Sequence, residues 1–189
     1  GPVAKECEPA LTGRIEGAVV GVTPQGWMRR WDEAGRVGRR QWKEAAHVLA
    51  HADAVVLSVE DVNGDGSLVA EYARQTPCLA LTRGAAGCTV YAHGDVRRFP
   101  APSVDESDAT GAGDIFAACL FYALQQGHDA WAAARFANCV AARSVTRSGL
   151  SGNRPLADSS TKSARSHSPS TPRATTSAAA SAYNRRRPC

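Results

Sequence analysis

Residues 108–124, "DATGAGDIFAACLFYAL", decide how this chain is read. Gly111, Gly113 and the carboxylate of Asp114 stand directly ahead of a run that is apolar on nearly every side. A helix without a polar stripe has no solvent face, so it belongs in an inner layer of a larger fold. Phe116, Ala117, Leu120, Phe121 and Leu124 anchor it, and burial holds the turn before it rigid. The two glycines let the backbone fold tightly and bring successive N–H groups toward one point. The helix adds its unpaired first-turn N–H groups and the positive end of its dipole. That combination suits a phosphate. A carboxylate beside it either accepts a proton from an attacking hydroxyl or holds a metal. The spacing alone equally describes a glycine turn with an acid favouring a helix start.

Outward from this stretch, strand-like and helix-like segments alternate. "GAVVGVT" (17–23) is a short apolar run stopped by Pro24, and "AVVLSV" (54–59) and "CLALT" (78–82) are two more of the kind that form buried strands. "RRQWKEAAHVLAHA" (39–52) places Trp42, Ala45, Ala46 and Leu49 on one helical face, and "SLVAEYARQ" (67–75) does so with Leu68, Val69 and Tyr72. "CTVYA" and "DVRRFP" form a hairpin around His93-Gly94, and helices are expected over 112–126 and 130–146, the second capped by Asp129. Strands alternating with helices across short loops predict a three-layer α/β/α fold with a mainly parallel sheet. Ligands in such sheets sit at the carboxyl ends of the strands. Those positions hold "TPQGW", "SVED", "TRGAAG" and "DATGAGD".

Charge and cysteine usage narrow the function. The net charge of +4 is uneven: residues 154–189 hold seven Lys/Arg and one Asp, or +6, which leaves residues 1–153 at −2. No basic groove for nucleic acid is expected in that body. The six cysteines (7, 78, 88, 119, 139 and 189) form no C-x-x-C pair and have no histidine at metal-ligand spacing, which suits reduced thiols in the cytoplasm. The longest apolar stretch, Ile115 to Leu124, is far short of the ~20 residues that span a bilayer, and no signal peptide is legible. No membrane partner is expected. The body, 1–153, reads as one folded unit. The Ser/Thr/Ala/Pro/Arg-rich tail, 154–189, reads as disordered because it lacks the apolar surface to offset ordering. Its abrupt change of composition also fits an out-of-frame translation.

Taken together, "DATGAGDIFAACL" (108–120) resembles the signature of the PfkB, or ribokinase-like, family of carbohydrate kinases, Asp-Thr-x-Gly-Ala-Gly-Asp-x-Phe. "LALTRGAAGCTVY" resembles that family's nucleotide strand and turn, matching at Thr82, Gly84 and Gly87, and "ARFANCVAARSVTRSG" resembles the helix whose asparagine, here Asn138, lies near the adenine. The resemblance spans roughly residues 1–152, about half of a family domain. It implies transfer of a phosphoryl group from ATP, with Mg2+, to a hydroxyl of a sugar or sugar-like small molecule. Asp114 is the implied general base, and backbone N–H groups of Gly111, Ala112 and Gly113 the implied anion hole. Asp108 and Thr110 match positions that help bind a monovalent cation in some members. A homodimer is compatible with this family.

Several positions depart from the family pattern. "SVED", with Glu60 and Asp61, stands where Asn-x-x-Glu is usual, so these acids are the implied metal-side carboxylates. "TPQGW" replaces Asp-Pro-Asn-x-Arg on the acceptor side, and Cys119 replaces a common glycine and reads as a small buried hydrophobe. The N-terminal half that carries the sugar-binding carboxylate, hinge and lid has no counterpart, so the chain reads as an apparently truncated fold. The alternatives are therefore a nucleotide-binding remnant without catalysis, and a vitamin or nucleoside kinase of the same fold.

Overall fold

Period-2 alternation in the apolar strands builds two cores at once. The computed structural model describes residues 7–147, and the predicted tail, 154–189, lies outside the described residues. Strands β4 (Ala54–Ser58) and β5 (Cys78–Thr82) are almost wholly buried and pair in parallel, with Val55 opposite Leu79 and Leu57 opposite Leu81. Those four side chains face helices α1 (Ala45–His51) and α2 (Gly66–Ala73), meeting Val48, Leu49, Val69 and Tyr72. The intervening residues Ala54, Val56, Cys78 and Ala80 face helices α3 (Ala112–Gln125) and α4 (Ala130–Ser144). Helices thus cover both faces, giving the expected three layers.

The five-stranded sheet has the order β1-β4-β5-β6-β7. Strand β1 (Gly21–Val22) is parallel to β4, whereas β6 (Cys88–Ala92) and β7 (Asp95–Phe99) form the predicted antiparallel hairpin along the other edge. Its turn, His93-Gly94, has positive φ at both residues, 53° and 80°, as a two-residue hairpin needs. The predicted helices appear as α3 and α4, and Asp129 caps α4 by accepting from the Trp131 and Ala132 amides at 2.8 Å. Asp65 caps α2 in the same way. In both caps the backbone donors hold the carboxyl below its usual range.

Two expectations change in extent. The strand expected over 17–23 shortens to Gly21–Val22, since the Val20 amide donates to the Asp53 carboxylate at 2.8 Å instead of to a strand. The helix expected over 39–52 begins only at Ala45. Arg39 instead ends β3 (Val37–Arg39), which pairs with β2 (Arg29–Trp31) in a small hairpin the residue pattern did not suggest. Trp42 lies outside the helix, stacked on Trp27 at 5.7 Å and edge-on to Tyr72. That aromatic packing outweighs the local helix preference, and Ala46, expected inside, is exposed while Val48 is buried.

Candidate active site

The turn "TRGAAG" is built by glycine conformations. Gly84 and Gly87 have φ of 56° and 87°, and Arg83 N–H donates to the Gly87 carbonyl at 2.8 Å, closing the loop after β5. Gly87 is also packed against the end of β7. A Cβ there would stand 2.0 Å from the Phe99 carbonyl oxygen and 2.5 Å from the Ala101 nitrogen, so only glycine fits. Thr82 donates its hydroxyl to the Leu57 carbonyl at 3.2 Å, tying the ends of β4 and β5 together.

"DATGAGD" is organised by Asp108 and Gly111. Asp108 accepts from the Thr110 amide at 2.9 Å, a local turn that shapes the segment before α3. Gly111 sits left-handed at φ 80° as the residue before the helix. The Ala112 N–H, expected in the anion hole with those of Gly111 and Gly113, instead donates to the Ala109 carbonyl at 3.1 Å, because the turn before α3 closes on itself there. Gly113 differs from its neighbour. Its φ is not left-handed, and a Cβ there would meet no protein atom within 4 Å. Neither backbone nor packing requires a glycine at that position. Asp114 lies in the first turn of α3 and is exposed.

These two loops meet. A cleft of about 300 Å³ is lined by Thr82, Gly84 and Gly87 from the first, by Ala112 and Gly113 from the second, and by Asn138 from α4. Its outer wall is the extended segment Ala101–Val104, and Ala141, Ala142 and Val145 close it along α4. The residue pattern did not single out that wall. The available signal was "PAPS" (100–103), where two prolines cannot donate to a ladder and so lead the chain off the sheet. A larger depression of about 510 Å³ lies by Trp42, Arg39, Lys43 and Tyr72, and none of the predicted site residues lines it.

The metal-side acids are arranged differently from each other. Asp61 is buried, accepts from the Ser58 amide and hydroxyl, both at 2.9 Å, and pairs with Arg29 at 3.4 Å. Its carboxylate therefore holds the turn after β4. Glu60 is exposed on that turn, which is joined to the cleft by the Val59 N–H donating to the Thr82 carbonyl at 3.0 Å. Among the described residues no group of three or more His, Cys, Asp or Glu is placed to hold a metal ion. Cys119 packs partly buried against the α3/α4 core, with its thiol pushed up by burial.

Residues 43–156 match the pfkB family of carbohydrate kinases. The chain belongs to the pfkB family. It is 40% identical over 84 residues to a fructokinase of Klebsiella pneumoniae, an alignment covering 40% of this chain and 27% of that protein. It is likewise 40% identical over 77 residues to the ribokinase of Bacillus subtilis, covering 41% of this chain and 26% of the relative. The fold also matches a crystal structure of a ribokinase II from E. coli in complex with ATP and Mg2+, with a TM-score of 0.53 and 27% identity over 58% of this chain and 38% of that one. The chain thus aligns with about a quarter of the length of the curated pfkB kinases it matches. No helix among the described residues is long and apolar enough to cross a membrane.

Proposed function

We propose that the chain is the nucleotide-binding part of an ATP-dependent sugar kinase of the pfkB family, with Asp114 as its general base. The observation that supports this best is the cleft, which gathers Thr82, Gly84, Gly87, Asn138, Ala112 and Gly113 at the start of α3. The nucleoside of ATP occupies the space between the glycine turn and α4, and its phosphates extend toward Gly111 and Gly113. Asp114 takes the proton of a sugar-like hydroxyl. The hydroxyl oxygen then bonds to the γ-phosphorus as the bond to the β-phosphate oxygen breaks and ADP leaves. Negative charge on the transferring group meets the amides and dipole at the helix start.

Mg2+, when bound, would neutralise charge on the phosphates. Glu60, exposed on the turn after β4, would hold it, while Asp61, engaged by Ser58 and Arg29, would fix that turn. Asp108 and Thr110 would help hold a monovalent cation, as the resemblance implies. Dependence on ATP suits a cytoplasmic location.

The test is phosphoryl transfer to a panel of sugars and related alcohols, by the chain alone and by the chain fused to the N-terminal half of a full-length pfkB kinase. Transfer abolished by Asp114→Asn supports the assignment. No transfer to any alcohol in the fused protein would refute it. A Mg-ATP thermal shift without transfer would indicate a nucleotide-binding protein only.

A further inference from the structure

The asparagine at the cleft, Asn138, does not offer its donor to a ligand. Its Nδ2 donates to the Phe99 carbonyl at 2.9 Å and approaches the Cys88 sulfur at 3.5 Å, and the residue is 6% exposed. Phe99 ends β7, and the next residues form the outer wall of the cleft. The far end of that wall is tied to the same helix, because the Ser107 and Asp108 amides donate to the Val145 carbonyl at 2.7 and 3.1 Å. Helix α4 is therefore a strut. Over the seven residues from Asn138 to Val145, about 10 Å of helix, it pins the start of the wall and the start of the "DATGAGD" turn.

The opposing contacts make the first tie rigid. Gly87 lies directly against the Phe99 carbonyl, Phe99 stacks on Trp131 at 6.3 Å, and Arg135 lies over the Phe99 ring. Thr82, the other polar side chain at the inner end of the cleft, has its hydroxyl proton on the Leu57 carbonyl. Both side chains thus direct their donors into the fold rather than at a ligand.

We infer that Asn138 is a positioning residue that sets the wall of the nucleotide cleft through the Phe99 carbonyl, and that its amide N–H groups do not read the base. This rests on the nucleotide reading proposed above. Losing the tie lets the wall relax, which weakens every nucleoside triphosphate by the same factor, whereas a base-reading asparagine would affect one base selectively.

The experiment measures Kd for ATP, GTP and ITP with the full chain, as wild type, Asn138→Ala and Asn138→Leu, well below each Tm. Leucine is close to asparagine in shape and removes the donor without burying a charge or leaving a cavity, so it serves if the alanine variant does not fold. All three Kd values are expected to rise together by about three- to tenfold, the worth of one hydrogen bond, with the ATP:GTP:ITP ratios unchanged. A variant that loses ATP selectively, or that binds all three as the wild type does, overturns the inference. The wild type alone supplies another readout: the Asn138 side-chain amide protons stay slow to exchange with and without ATP, and fast exchange in either state contradicts the tie. Failure of the wild type to bind any of the three nucleotides overturns the nucleotide reading itself, a result distinct from altered selectivity.

Discussion

Replacing Gly113 by alanine separates a glycine kept for folding from one kept for a ligand. The residue lies in α3 without a left-handed φ, and an added Cβ meets no protein atom within 4 Å. Alanine is therefore unstrained, and it removes backbone freedom from the unfolded chain, which stabilises by about 0.4–1 kcal/mol. For a body of this size Tm should rise by about 1–4 °C. What the methyl can displace is ligand, because nothing else is near. If phosphate closes on the Gly113 amide, the substitution moves it off a donor, and one lost donor of this kind costs about 10²–10³ in rate. The assay pairs a melting curve with a Mg-ATP titration and, in the fused protein, phosphoryl transfer. The expected result is a protein slightly more stable than wild type that has lost transfer and most of its nucleotide-dependent shift. A Gly113→Ala variant that retains both would refute the cradle, and the turn would then be only a helix start. Gly111→Ala is less informative, because at φ 80° the new side chain itself costs about 1–2 kcal/mol.

Asp114→Asn should lower transfer by about 10²–10⁴ while leaving nucleotide binding close to wild type, read as kcat against KM in the fused protein. Gly87→Ala should destabilise by about 3 kcal/mol or more, combining a left-handed φ with overlap on the Phe99 carbonyl, and a melting curve lowered by less than a few degrees would show that the wall yields. Burial pushes the thiols of Cys78 and Cys88 up to about 11 from 9.0. The unfolded chain then ionises first, so stability should fall as pH rises from about 9 to about 11, monitored by urea midpoints in a reducing buffer. For the same reason, exposed Cys7 and Cys139 should react with a thiol reagent at pH 8 in the folded protein, and Cys78 and Cys88 only once it is unfolded.

What the residues disclosed follows from how local each signal is. Strands β4 and β5 are legible because continuous apolar runs of four residues between turn signals have few other uses, and the β6–β7 turn because His93-Gly94 accepts positive φ. The caps at Asp65 and Asp129 are likewise local, though only the second was read. The hairpin of β2 and β3 was not legible, since "RRW" and "VGR" are mostly exposed and carry no apolar alternation. Trp42 reads as part of a helix face because its spacing from Ala45 and Leu49 is helical. Its actual neighbours, Trp27 and Tyr72, are far away in sequence.

The same distinction separates the two halves of the site. The glycine positions could be read from sequence, because positive φ and close approach are properties of one residue and its immediate neighbours. The partners of polar side chains could not, because a carboxylate or amide looks identical whether it faces a ligand or the protein. The residue pattern points both Asp61 and Asn138 toward a ligand, and both are hydrogen-bonded within the fold, to Ser58 and Arg29 and to Phe99. For a buried polar group this is the expected economy, since leaving it unpaired until a ligand arrives would cost about 1–3 kcal/mol. Such groups can still govern binding, but through the backbone they hold. Under the proposed nucleotide reading, contact with the nucleotide would fall mainly to glycine turns, helix-start amides and the apolar walls. In that arrangement Asp114, exposed in the first turn of α3, would be the acid on the "DATGAGD" loop placed for proton transfer under the proposed function.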